Sequence, residues 1–370
     1  MQRRSFPSRK VLGPAALLAA GVLALAGCGQ SGGEPAASGA APQEEKVAVT
    51  LITKDSLNPF WIAMQNGAKQ AAESNNVGLT IAAGKADGDE DGQVKAIEAA
   101  VARGDKGILI ALNGPGVNSA LDSARQQGVY VIALDTPPEP ADTADITFAT
   151  DNFKAGELIG KWAAAQLDGK KATIALLDAF NDKIVSVDYK RDQGFLTGMG
   201  IDTKDKNKNG DEDKTGSYTG GKGGDYEIVC NEPTQGNQDK GKSAMEACLS
   251  KNGNINVVYT LNEPGAAGAA DALSDAGKKG VIITSVDGGC EGVGNVKNGT
   301  IGATSQQYPL KMAQLGVEAI AKVARGGEKP AVTPGLDFFD TGVALVTDKK
   351  VEGVDSIDTA EGLKLCWGNK

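Results

Sequence analysis

Four side chains in this sequence occupy places that suit chemistry. Asn113, Asp135, Asn262 and Asp287 each stand just after a short apolar run, at 107–112, 129–134, 255–260 and 281–286. In open parallel sheets, small molecules bind at the carboxyl ends of the strands. Any one of these residues alone is more often a turn or a helix cap. Four of one chemical kind at equivalent places point instead to a shared site. Amides and carboxylates are rich in acceptor oxygens, so they suit a hydroxyl-bearing molecule better than a phosphate or a metal.

Those residues need a scaffold, and the chain alternates accordingly. Apolar runs at 47–52, 79–83, 107–112, 129–134 and 146–150 predict buried strands, with amphipathic stretches of helical spacing between them. A second set follows at 172–177, 226–229, 255–260 and 281–286, with helices expected near 184–199, 238–250 and 265–276. Asn58-Pro59 opens the first helix as a cap followed by a first-turn proline. Its inner face would carry Trp61, Met64, Ala68 and Ala71. Such alternation implies parallel sheets covered by helices on both faces. Two sets of about a hundred residues predict two similar α/β lobes.

Composition narrows the function. The chain has 370 residues, 41% hydrophobic and 23% charged, with a net charge of −9. Residues 1–27 carry Arg3, Arg4, Arg9 and Lys10 and no acid, so without them 34 basic residues face 47 acidic ones, or −13. A surface this acidic repels phosphate backbones, which argues against nucleic-acid binding. The absence of histidine removes the commonest general base and transition-metal ligand. No cofactor is expected.

The first 27 residues follow the secretory pattern: a basic start, an apolar run from Val11 to Ala26, then small residues. Leu25-Ala26-Gly27-Cys28 resembles the bacterial lipobox, which makes Cys28 the expected lipidation site and new N-terminus. Residues 28–45, rich in Gly, Ala, Ser and Pro, read as a flexible lipid-linked tether. The address is therefore extracytoplasmic, with the membrane reached through the lipid alone. Cys230, Cys248, Cys290 and Cys366 remain, an even number that predicts two disulfides in an exported chain. Three connectivities are open. Nearness in sequence favours Cys230 with Cys248, which leaves Cys290 with Cys366 to staple the C-terminal tail.

One acidic segment has calcium spacing. Asp205, Asn207, Asn209, Asp211 and Asp213 alternate around Gly210, like the first half of an EF-type loop. Its twelfth position is Gly216 rather than glutamate. The alternative is a solvated insertion over 201–225, rich in Gly, Lys and Asp.

An ordered series of short segments resembles a known family. Asn58-Pro59-Phe60-Trp61, Val131 to Asp135, Thr150-Asp151-Asn152, Arg191 with Gly194-Phe195, Asn262-Glu263, Val286-Asp287-Gly288, and Ala303-Thr304 before Gln307 look like the ribose/galactose type of sugar-binding protein, the type I binding proteins of ABC importers. The resemblance covers essentially all of 46–370. Within it, Thr234 to Gln238, the Gly288-Gly289-Cys290 turn and the Cys366-Trp367-Gly368 ending look most like the fructose-importer branch.

The resemblance implies two Rossmann-like parallel-sheet lobes joined by three crossings, near 149–153, 305–309 and 336–340. The N-terminal lobe would comprise 46–150 plus 308–337, and the C-terminal lobe 151–307 plus 338–370. A monosaccharide, fructose above other hexoses or pentoses, would lie between them. Asn58, Phe60, Trp61, Asn113, Asp135 and Thr136 would serve it from the first lobe, and Arg191, Asn262, Asp287 and Gln307 from the second. Flat rings cover the apolar faces of a sugar while amides, acids and an arginine bind its hydroxyl rim. Thr136 departs from ribose binders, which carry arginine there, as does Gly236, where they present an aromatic. The implied role is that of a monomer handing sugar to an ABC permease, with no catalysis. A sensing receptor ectodomain is the alternative. A glycosidase using Asp135 and Asp287 as its carboxylate pair and a sugar-responsive repressor are the remaining readings. The repressor needs a DNA-binding helix pair where this chain carries its leader.

Overall fold

The computed structural model describes residues 45–368. The leader, Cys28 and the tether up to residue 44 lie outside the described residues.

The first lobe begins β1 (Val47–Thr53), α1 (Pro59–Ser74), β2 (Val77–Ala83), α2 (Glu90–Arg103), β3 (Gly107–Ile110), α3 (Asn118–Gln126), β4 (Tyr130–Leu134) and β5 (Ile146–Ala149). The chain then enters the second lobe with α4 (Asn152–Leu167), β6 (Ala172–Asp178), α5 (Ser186–Met199), β7 (Thr215–Tyr218), β8 (Gly224–Pro233), α6 (Gln238–Lys251) and β9 (Val257–Thr260). There follow α7 (Glu263–Asp275), β10 (Ile282–Asp287), α8 (Cys290–Lys297) and β11 (Ala303–Gln306). It returns for α9 (Pro309–Ala324) and β12 (Phe339–Asp340), and finishes with β13 (Ala344–Val346) and α10 (Thr359–Leu365).

Two sheets result. One runs β12-β5-β4-β3-β1-β2, and the other β13-β11-β10-β9-β6-β8-β7. All pairings are parallel except those of the two edge strands of the second sheet, β7 with β8 and β13 with β11. This is the expected type I binding-protein architecture of two parallel α/β lobes.

Alternation along each strand explains the layers, because successive side chains point to opposite faces. Leu51, Leu109 and Ile132 join one core, beneath α1 and α9. Their neighbours Ile52, Ile108, Ile110 and Val131 join the other, beneath α2 and α3. In the second lobe, Ile174 and Leu176 face one core while Ala175 and Leu177 face the other.

Three segments cross between the sheets: after Ala149, after Gln306 and after Asp340. Strand β12 pairs with β5 in the first sheet, so the last crossing follows residue 340 and the boundary at 338 moves. The stretch 201–225 is likewise not all loop. Thr215–Tyr218 pairs antiparallel with β8, because the rings of Tyr218 and Tyr226 are buried in the lobe's core. In the rest of that segment Asp205 Oδ1 accepts from Asn207 N at 3.0 Å. Lys204 pairs with Asp213 at 2.6 Å. Among the described residues no three Cys, Asp or Glu side chains are grouped to hold a metal ion.

Both disulfides pair as sequence proximity favours: Cys230 of β8 with Cys248 of α6, Cα atoms 5.6 Å apart, and Cys290 with Cys366 at 4.9 Å. No described helix is long and apolar enough to cross a membrane.

Candidate functional site

The strand ends of the two lobes face each other across a small cavity of about 30 Å³. Asn58, Phe60, Trp61, Asp135, Arg191, Asn262, Asp287 and Gln307 all line it, together with Lys54, Asp87, Phe180 and Leu261. Eight of the ten residues expected there therefore converge, and they do so from both lobes and a crossing segment.

Local structure sets each of them. Asn58 caps α1, its Oδ1 accepting from Phe60 N at 3.0 Å, and this turn aims Phe60 and Trp61 inward. Asn262 does the same for α7, accepting from Gly265 N at 3.0 Å and donating to Gly236 O at 3.1 Å. The cap reading thus holds for both residues, and both also line the cavity. Asp135 (φ 63°) and Asp287 (φ 144°) both adopt positive φ at strand ends. Such backbone is uncommon for side chains larger than glycine and turns up at binding sites.

Arg191 comes from the middle of α5. That helix lies so near α4 that a Cβ on Gly156 would sit 2.0 Å from Arg191 O, and one on Gly194 2.2 Å from Phe153 O. This close approach brings Arg191 Nε within 2.7 Å of Asn152 Oδ1, while Nη1 donates to Leu261 O at 3.1 Å. Its terminal nitrogens stop 3.8 Å from Asp135 Oδ1 and 4.0 Å from Asp287 Oδ1. Gln307 Nε2 donates to Asp287 Oδ1 at 2.9 Å.

Several polar atoms in this cavity have no hydrogen-bond partner although they are buried: Trp61 Nε1, Asp87 Oδ1, Asp135 Oδ1 and Gln307 Oε1. Leaving such groups unmatched is costly, and a cluster of them around one space is the mark of a site shaped for a guest. Burial dominates the electrostatics. It raises Asp87 above the ordinary carboxylate value, against the opposing pull of Lys54. It lifts Asp287 to about 6, with Arg191 acting the other way. Glu263, which accepts from Gly288 N, Gly289 N and Thr304 Oγ1, is raised to about 8 by burial and then by the Asp287 charge.

Two expected residues fall outside. The Asn113 amide donates to the carbonyls of Lys54, Ala86 and Asp89, and its Oδ1 accepts from Gly88 N. With both N–H donors engaged and its Oδ1 accepting from the backbone, it braces the loop that carries Asp87 and does not line the cavity. Thr136 donates to Asp135 Oδ2 at 2.9 Å and is likewise a support. Two site residues were hidden. Lys54 follows β1 directly, where the strand-end rule applies, but a lysine ordinarily stands in water. Here it is buried, 3.8 Å from Asp87 and over the Trp61 ring. Asp87 sits in the loop after β2, where nothing in the local sequence marks it.

A larger cavity of about 570 Å³ adjoins the first, sharing Asn58, Asp87 and Asp287 with it. Gln235, Gly236, Asn237, Glu263 and Trp367 are among its other walls.

Residues 49–329 match the family model described as the periplasmic binding protein domain. Among curated proteins, the chain is 26% identical over 300 residues to the ribose import binding protein RbsB of Haemophilus influenzae, covering 81% of this chain and 92% of that one. It is 28% identical over 281 residues to the D-apiose import binding protein of Actinobacillus succinogenes, covering 75% and 82%. Among solved structures, an ABC transporter solute-binding protein from Agrobacterium vitis with bound D-fucose superposes with a TM-score of 0.70 at 25% identity, covering 86% of this chain and all of that one. The proteins so matched are transport binding proteins rather than enzymes.

Proposed function

The chain belongs to the periplasmic binding protein domain family, and from that premise we propose that it is the substrate-binding component of a carbohydrate ABC importer. It captures a monosaccharide between its two lobes and presents the closed form to a permease. One observation carries this reading: unpartnered buried polar atoms from α1, the loop after β2, the end of β4 and the second crossing border a single interlobe cavity. Three of the four are acceptors and one is a donor. Sugar hydroxyls both give and accept hydrogen bonds, so one rim can satisfy all four. A phosphate would meet three acids, Asp87, Asp135 and Asp287, against two cations, Lys54 and Arg191, and be disfavoured. The inner cavity is smaller than the several hundred Å³ usual for a ligand site, and movement of the lobes about the crossings would widen it to take a sugar.

D-Fructose is the favoured guest, with other hexoses or pentoses as alternatives. Support comes from the likeness of 234–238, 288–290 and 366–368 to the fructose branch. Gly236 also argues against ribose, since ribose binders present an aromatic ring at that position and here even a Cβ would sit 3.1 Å from the Asn262 amide. Cys28 provides the lipid anchor in this reading, holding the protein outside the cell membrane.

Calorimetric titration of the full chain with D-fructose, D-ribose, D-allose and D-galactose tests the reading, with amino acids and nucleosides as controls. Micromolar or tighter binding of at least one monosaccharide supports it. Heat from the controls alone would overturn it.

A further inference from the structure

The C-terminal tail does something the site description leaves unused. Trp367 is only 7% exposed although it lies near the end of the chain, and it does not line the inner cavity. Its indole Nε1 donates to Gln307 O at 2.9 Å. Its ring meets the edge of Phe60 at 5.3 Å between centroids, with planes 85° apart. Phe60 in turn is T-packed on Trp61 at 4.7 Å. Two residues of the cavity wall, one on the first lobe and one on the second crossing, thus rest on a single side chain of the tail.

That side chain is anchored in the second lobe. Cys366 is bonded to Cys290 at the start of α8, and Cys290 N donates to Trp367 O at 2.9 Å. The Trp367 ring lies over Gly289, where an added Cβ would come within 3.3 Å of it. Chain ends fray unless tied down, and here the tie is covalent, one residue before the tryptophan.

We infer that the disulfide-anchored tail is an interlobe latch, in which Trp367 holds Phe60 and Gln307 in their ligand-facing positions and favours the closed arrangement. Opening about the three crossings carries Phe60 away with the first lobe, while Trp367 stays with α8. The ring contact therefore belongs to the closed form, and a contact made in only one of two states shifts the balance toward it. Trp367 is a positioning residue, acting through Phe60 and Gln307. The inference rests on the two-lobed closing site proposed above, but its test does not depend on the sugar.

The test uses the full chain and four variants: Trp367→Ala, Trp367→Phe, the pair Cys290→Ser with Cys366→Ser, and the control pair Cys230→Ser with Cys248→Ser. Each is studied by small-angle scattering without sugar, and by affinity and dissociation rate with D-fructose and D-allose. Trp367→Ala and the Cys290/Cys366 pair should show a larger radius of gyration without sugar. They should also bind about tenfold more weakly, which corresponds to about 1.4 kcal/mol, through faster dissociation. Trp367→Phe should recover most of the affinity, and the control pair should keep it. Wild-type scattering and affinity in a folded Trp367→Ala would overturn the latch. If that variant fails to fold, the same result in the Cys290/Cys366 pair would overturn it. Should the wild type bind neither sugar, the binding proposal is in trouble, and the sugar-free scattering still decides the latch: equal radii overturn it.

Discussion

Arg191 Nη2 lies 3.8 Å from Asp135 Oδ1, near enough for attraction between buried charges and too far for a hydrogen bond. The carboxylate oxygen has no hydrogen-bond partner. The two charges face one another from different lobes across a gap that a hydroxyl can bridge. A hydroxyl lying beside the pair could hydrogen-bond to both of its members at once.

Arg191→Ala and Asp135→Ala should each weaken sugar binding by about 2–4 kcal/mol, the cost of leaving a buried charged partner unmatched. Isothermal titration with the best-binding monosaccharide measures it. Near-normal affinity in both variants would remove them from the site.

Asn113 should behave as a strut. Its amide engages three carbonyls and one backbone N–H, and Asn113→Ala strips partners from buried groups. The expected loss is about 1–3 kcal/mol of folding stability, read from urea unfolding. An unchanged midpoint would show that the loop carrying Asp87 holds itself.

A buried acid pair makes stability depend on pH. Asp178 and Asp192 are wholly buried, and neither oxygen of Asp178 has a well-formed hydrogen bond, although the nearby Asn231 side chain partly offsets the burial. Burial raises both carboxyls well above the usual value, with repulsion from Asp192 and Asp188 adding for Asp178, and from Glu212 and Asp188 for Asp192. A carboxyl raised by folding favours the folded state most when protonated. Its contribution is full below the unfolded pKa of about 4 and is lost as pH climbs through the folded value. Stability should therefore fall as pH rises above the unfolded carboxyl value of about 4, and Asp178→Asn should flatten the slope. Equal slopes in parent and variant would refute this assignment.

Binding should have its own pH dependence. With Asp287 raised to about 6 by burial, the ionised form that accepts from hydroxyls is depleted below that pH. Affinity should weaken between pH 7 and pH 5, and a flat profile would mean that the protonated acid serves equally well.

Removing the Cys230–Cys248 bond by a double serine substitution should cost about 3 kcal/mol, as expected for a loop of this size. The separation is 18 residues, and the unfolding midpoint measures the loss.

Much of this was legible before folding. Alternating apolar runs and helical stretches specify parallel sheets with two-sided cover, because a strand buried on both faces must be apolar throughout. The strand-end rule then selects Asp135, Asn262 and Asp287, since backbone geometry places those positions at the sheet's edge whatever the side chain. Paired cysteines are similarly local, since parity predicts two bonds and nearness in sequence their partners.

Which polar groups stay unsatisfied could be decided only in three dimensions. Asn113 sits at a strand end like its counterparts, yet a neighbouring loop takes up its whole amide. Lys54 looks like a surface lysine, yet the fold buries it beside Asp87 and over the Trp61 ring. Trp367 stands more than 300 residues from Phe60 in the chain, and no local pattern foretells that a disulfide will bring the two rings together. Periodicity reports which face of an element is buried; what lies against that face is set by packing across the whole molecule.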